Sequence, residues 1–176
     1  MSSAYKNKTL LTVLELVIFA MLGTLMWLSK LLMEFLPNIH LMAMLTMVYT
    51  VVYRWKALFP IGVCVVLIGL QGGFSPWWVP HLYIWTVLWG VTMLLPRHMP
   101  VKIAAPVYTV VCVLHGLLYG TLWAPTQWLF YGGNIWAWIV SGLPFDLMHG
   151  VGNFFASLLI LPMIHVLNLA RRAIRQ

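Results

Sequence analysis

Long apolar runs broken by short basic punctuation organise this chain. Apolar stretches cover residues 10–53, 57–96 and 103–170. Each leaves from a basic cluster and returns to one. Nine of the ten Lys and Arg residues fall in four places: Lys6 and Lys8, Arg54 and Lys56, Arg97 and Lys102, and Arg171, Arg172 and Arg175. Positively charged flanks are retained on the cytoplasmic side of a membrane, so all four clusters belong on one side. Each apolar stretch is then a hairpin. The pattern predicts one all-α membrane domain over residues 1–176, with six transmembrane helices and both termini cytoplasmic.

The expected helices cover 10–35, 40–53, 57–71, 79–95, 103–122 and 141–169. Pro37-Asn38 ends the first, and Gly72-Gly73-Phe74-Ser75-Pro76 is a turn signal between the third and fourth. The second and third are shorter than the ~20 residues a perpendicular span needs. Residues 123–139, with Pro125, Gly132, Gly133 and four tryptophans, read as a broken outer segment, too polar for a span. Pro162 is expected to kink the last helix. The first apolar run follows Lys6 and Lys8 but lacks a small-x-small cleavage site, so it reads as a retained span.

Composition narrows the classes. Hydrophobic residues make up 62% of the chain and charged residues 7%, against roughly a quarter charged in soluble domains. The net charge of +7 lies in loops and tails rather than along one face, which argues against a nucleic-acid partner and for a lipid bilayer. Cys64 and Cys112 lie within apolar stretches and read as small buried side chains.

Few residues offer chemistry. Glu15 sits one to two turns inside the cytoplasmic end of the first helix, within reach of the interface; Lys30 and Glu34, spaced i, i+4, can pair, although the Lys-first order is the weaker one, and otherwise read as interfacial residues. Asp146, His149 and Asn153, spaced i, i+3, i+7, share one face of the last helix. They form either a substrate-contacting patch or a polar lock between helices. No ligand spacing supports a metal site, and no G-x-S-x-G motif supports a nucleophile.

Aromatic residues crowd the outer side. Trp77, Trp78, His81, Tyr83 and Trp85 follow the third helix; Trp123, Gln127, Trp128, Tyr131, Asn134, Trp136 and Trp138 fill the outer segment. An interfacial belt places Trp and Tyr on both faces. This distribution is lopsided and predicts an aromatic-lined pocket with Gln127 and Asn134 as polar anchors.

These features resemble the substrate-binding S component of an energy-coupling factor (ECF) importer, an ABC-class vitamin transporter of the bacterial cell membrane. The most specific stretch is 142–154, Gly-Leu-Pro-Phe-Asp-Leu-Met-His-Gly-Val-Gly-Asn-Phe. It is similar to the G-x-P-F-D-x-x-H-x-x-x-N-F pattern of the last helix in that family. The Leu36-Pro37-Asn38-Ile39 turn is similar as well. The resemblance implies a vitamin site built from the outer loops and the later helices, on Trp77, Trp78, His81, Trp85, Gln127, Trp128, Tyr131, Asn134, Trp138, Asp146, His149 and Asn153. It implies three partner chains: a transmembrane coupling subunit and two ATPase subunits, which hold ATP and Mg. The chain itself has no G-x-x-x-x-G-K-[ST] loop and is expected to be a non-enzymatic subunit without a cofactor. The family's A-x-x-x-A contact with the coupling subunit has a loose counterpart in Ala20, Gly23 and Thr24.

Cobalamin leads the substrate expectations, from the wide aromatic mouth and a likeness to the cobalamin-type branch. Pantothenate, hydroxymethylpyrimidine and pyridoxine stay open. A phosphate or dicarboxylate is disfavoured because Lys30 alone carries positive charge near the outer side. Two other classes stay open: a stand-alone channel, which needs a polar path through the inner half, and a membrane-embedded enzyme using Asp146 and His149.

Overall fold

A computed structural model describes residues 11–173. Lys6, Lys8, Arg175 and the expected start of the first helix at Leu10 lie outside them. Every regular element among the described residues is helical: α1 (Val13–Leu32), α2 (Met42–Tyr53), α3 (Leu58–Gly72), α4 (Pro80–Leu94), α5 (Val101–Leu117), α6 (Tyr119–Tyr131), α7 (Ile135–Ser157) and α8 (Ile160–Ala173). Short 3-10 turns at Arg54–Ala57 and Pro76–Trp78 flank α3 and α4.

Local chemistry sets the boundaries. The Thr12 hydroxyl accepts the Glu15 amide at 3.2 Å, and the Glu15 carboxylate accepts the Thr12 amide at 3.1 Å. This capping box satisfies two amides that no helical carbonyl reaches, and starts α1 at Val13. α2 is sheltered on every side, with ten of its twelve residues buried, including Met42, Met44, Met47 and Tyr49. Tyr49 donates to Leu22 O at 3.0 Å and ties α2 to α1. α3 lies tight on α1: a Cβ on Gly23 would come within 2.6 Å of Val63 Cβ and Pro60 O.

Two expectations are corrected. Most of the outer segment is helical, because α6 continues after the single residue Leu118 and carries Pro125 inside it. The Tyr83 hydroxyl donates to Leu122 O at 2.7 Å and lies 2.8 Å from Thr126 Oγ1, bracing α6 across the proline. Only Gly132, Gly133 and Asn134 break the chain before α7, and both glycines have positive φ. The expected last helix is two helices, α7 and α8, bent by 51°. Pro162 has no amide to give the Leu158 carbonyl, and its ring crowds that carbonyl, so the helix breaks at Leu158.

Among the described residues, three stretches are long and apolar enough to cross a bilayer: Val13–Leu32, Met42–Gly72 and Val101–Tyr131; α7 with α8 makes a fourth if the bent pair is one span. The six expected spans required α2, α3 and α4 each to cross alone. At 12, 15 and 15 residues, each falls short of the ~30 Å hydrocarbon core at ~1.5 Å per residue.

Basic side chains gather at one end of the bundle. Lys56 Nζ pairs with Glu15 Oε1 at 2.6 Å. Arg54 donates to Met93 O at 2.7 Å, and Arg171 donates to Val52 O at 3.1 Å. The Lys30–Glu34 pair that the spacing allows is not formed, and Lys56–Glu15 is the ion pair among the described residues. Glu34 lies past the end of α1, where helical spacing no longer brings it over Lys30.

Candidate functional site

The end of the bundle away from the basic cluster holds a cavity of about 470 Å³. One wall comes from the end of α1 and the turn after it: Lys30, Met33, Glu34 and residues 36–40. Asn38 adopts φ 62° there, a left-handed conformation that asparagine tolerates better than most residues. The turn delivers His40 to the cavity just before α2 begins. α4 and the loop before it supply Trp77 and His81, α6 supplies Tyr119, Trp123 and Gln127, and α7 supplies Trp138, Phe145, Asp146 and His149.

Six rings form a continuous arc. Trp77 meets His81 edge-on with centroids 5.4 Å apart, and His81 meets Trp123 at 5.2 Å. Trp123 lies 5.6 Å from Tyr119, which stacks on His149 at 4.3 Å. His149 meets His40 edge-on at 5.6 Å. Offset and edge-to-face contacts in this distance range are the favoured geometries of ring pairs. Trp85, 1% exposed, lies beneath the arc, 5.8 Å from His40 and 5.9 Å from Tyr119.

Glycines let α7 carry the polar part of the site. Gly120 N donates to Asp146 Oδ1 at 2.5 Å, and a Cβ on Gly120 would lie 2.9 Å from that oxygen. Gly116 is tighter still: its Cβ would stand 2.8 Å from the backbone of His149 and from Asn153 Nδ2. The helices therefore approach closely enough for Asn153 to donate to Cys112 O at 2.8 Å. Asp146 and His149 do not bond each other. His149 Nδ1 lies 2.9 Å from Phe145 O, and a carbonyl only accepts, so Nδ1 carries the hydrogen. His40 stands between α1 and α2. Burial, helped by the His149 ring, pushes its imidazole down to about 3, so it is neutral at physiological pH.

Of the residues the sequence places in a pocket, Trp77, His81, Trp123, Gln127, Trp138, Asp146 and His149 line this cavity together. The others lie off it. Trp78 donates to Val65 O at 2.8 Å and serves packing against α3. Trp85 is buried below the cavity. Trp128 and Tyr131 point outward, 52% and 59% exposed. Asn134 caps α7 by accepting the Trp136 amide at 2.8 Å, and Asn153 is the polar lock. On α1, Gly23 is buried against α3, Thr24 donates to Ala20 O at 2.9 Å, and Ala20 is exposed. Sequence reasoning missed His40, Tyr119 and Glu34 as cavity residues. The Pro37-Asn38 turn was the available signal for His40. Compared with known protein families, characterised proteins and solved structures, the chain matches none.

Proposed function

We propose that this chain is the membrane-embedded substrate-binding subunit of an ECF-type importer in a bacterial cell membrane. It captures a vitamin in the ring-lined cavity and delivers it inward, together with a transmembrane coupling subunit and two ATPase subunits that hold ATP and Mg. The observation that carries this reading is the cavity itself: a continuous aromatic arc with a few polar groups, at the end of the bundle opposite the basic side chains. Small-molecule sites are concave, largely apolar and about 300–1,000 Å³ in volume, with a few convergent polar groups, and this cavity fits that description. In this reading α1, α2, α3 and α4 cross singly, α5 continues into α6, and α7 continues into α8. That makes six passages with both termini on the cytoplasmic side. The 3-10 turns at Arg54–Ala57 and Pro76–Trp78 extend the short helices α2, α3 and α4 toward the membrane faces.

Cobalamin is the first substrate to test on the family resemblance, then pantothenate, hydroxymethylpyrimidine and pyridoxine. At about 470 Å³ the cavity has room for a compact vitamin and less than a whole corrinoid needs. Purified chain in nanodiscs, titrated with this panel and followed by tryptophan fluorescence, gives a saturable change for one compound. Silence across the panel, both for the chain alone and for the chain assembled with an ECF coupling module, refutes the proposal.

A further inference from the structure

Beside donors on Lys30, Trp77, Trp123 and Gln127, the cavity wall presents a set of buried acceptors. Asp146 is 2% exposed, and its Oδ2 has no partner among the described residues. Gly120 N–H holds the other oxygen, which fixes the carboxylate in the wall. His149 Nδ1 faces Phe145 O at 2.9 Å, and His81 Nδ1 faces Trp78 O at 3.2 Å. Each must donate there, so in the neutral ring Nε2 is left as an acceptor. His40 Nδ1 is also buried without a partner. A buried polar group left unpaired is costly, and a carboxylate oxygen more so than a neutral one. A ligand that brings donors removes that cost.

Charge points the same way. Of the carboxyl and amine side chains lining the cavity, two are acids, Glu34 and Asp146, and one is a base, Lys30. A carboxylate or phosphate ligand would meet more repulsion than attraction. The flat surfaces of Tyr119, Trp123 and Trp77 favour a planar partner.

Building on the vitamin-capture reading, we infer that the natural ligand is a compact planar nitrogen heterocycle bearing N–H donors, neutral or singly cationic, with one N–H directed at Asp146. An amino-substituted pyrimidine has this chemistry. A carboxylate such as pantothenate lacks it, and a corrinoid is neither compact nor bound through a single heterocyclic edge.

The test uses the full chain in nanodiscs and four probes: 4-amino-5-hydroxymethyl-2-methylpyrimidine, its 4-hydroxy counterpart, pantothenate and cobalamin. The aminopyrimidine is expected to bind at least tenfold tighter than the 4-hydroxy compound, which in its predominant pyrimidinone form places a carbonyl acceptor where the amino donor stood. This comparison needs no variant, so it stands even if substitutions at Asp146 fail to fold. Asp146→Asn, checked for an unchanged elution profile, is expected to weaken the aminopyrimidine at least tenfold and to narrow the gap between the two pyrimidines. Equal binding of the two pyrimidines by the unsubstituted chain overturns the inference. Saturable binding of pantothenate or cobalamin without the aminopyrimidine also overturns it, while leaving the importer reading intact. Absence of binding by any vitamin, alone or in the assembled complex, removes the importer reading and this inference with it.

Discussion

Replacing Gly116 with alanine tests whether the α5–α7 contact is as close as described. The added Cβ would sit 2.8 Å from the His149 carbonyl carbon and oxygen, and 2.8 Å from Asn153 Nδ2. Two of these three atoms are helix backbone, which cannot swing aside like a side-chain tip. Forcing a methyl into such a contact costs about 1–3 kcal/mol, and disturbing the Asn153–Cys112 hydrogen bond costs about 1 kcal/mol more. Alanine's better helix propensity returns about 1 kcal/mol. The net is a loss of about 2 kcal/mol, or roughly 4–8 °C in Tm for a chain of this size. Gly90→Ala is the matched control. It also lies inside a helix, but nothing stands within 4 Å of its added Cβ, so only the propensity gain applies and Tm rises by about 2–4 °C. Thermal unfolding of both variants in the same detergent, followed by tryptophan emission, reads the difference. A Gly116→Ala Tm at or above that of the unsubstituted chain, or equal shifts in the two variants, refutes the close approach.

Trp123→Ala opens the ring arc and is expected to weaken ligand binding at least tenfold, whereas Trp128→Ala, on the outward face, leaves affinity unchanged in the same titration; the reverse order would move the site to the outer face of α6. Ala20→Leu adds bulk to an exposed position of α1 and is expected to lower the yield of complexes with the coupling subunit while sparing ligand affinity; normal yields would shift the contact away from this face. His40 gives a pH prediction. Its imidazole is held down to about 3 in the fold and titrates near ~6.5 when unfolded, so the unfolded chain binds more protons between those values. Stability contributed by His40 is complete above about 6.5 and is lost as pH falls toward 3. His40→Gln is therefore expected to lose less Tm than the unsubstituted chain between pH 7 and pH 5, and parallel losses would show that His40 is not buried as described.

The helical class of this chain was legible because apolar runs this long and this poor in charge leave few alternatives. Element ends were less so. Thr12, which sets the start of α1, is an ordinary threonine until Glu15 folds back on it. The outer segment looked broken because Pro125 and two glycines are local signals, while the Tyr83 hydroxyl that braces α6 comes from 39 residues away. Pro162 was read as a kink, and the structure gives that kink its size. In the site, Asp146 and His149 stood out by their spacing on one helix face, and His81 and Trp77 by their crowding. His40 and Tyr119 carry no such mark. They join the cavity through a turn and a one-residue break that only the assembled bundle aligns. Trp128, Tyr131 and Asn134 show the opposite error, because residue type suggested contact and helix phase or capping turned them elsewhere.

α2 gives the protein an interior insulated from the bilayer. The outer side of α1 exposes Val13, Leu16, Val17, Met21, Leu25 and Leu32, and must adjust to whatever acyl chains surround it. α2 has ten of its twelve residues buried in protein. The turn that carries His40 leads straight into α2, so that wall of the cavity is anchored to the helix that membrane composition reaches least. Moving the protein between thick and thin, or ordered and fluid, bilayers should thus alter its tilt and its outer helices before it alters the dimensions of the cavity.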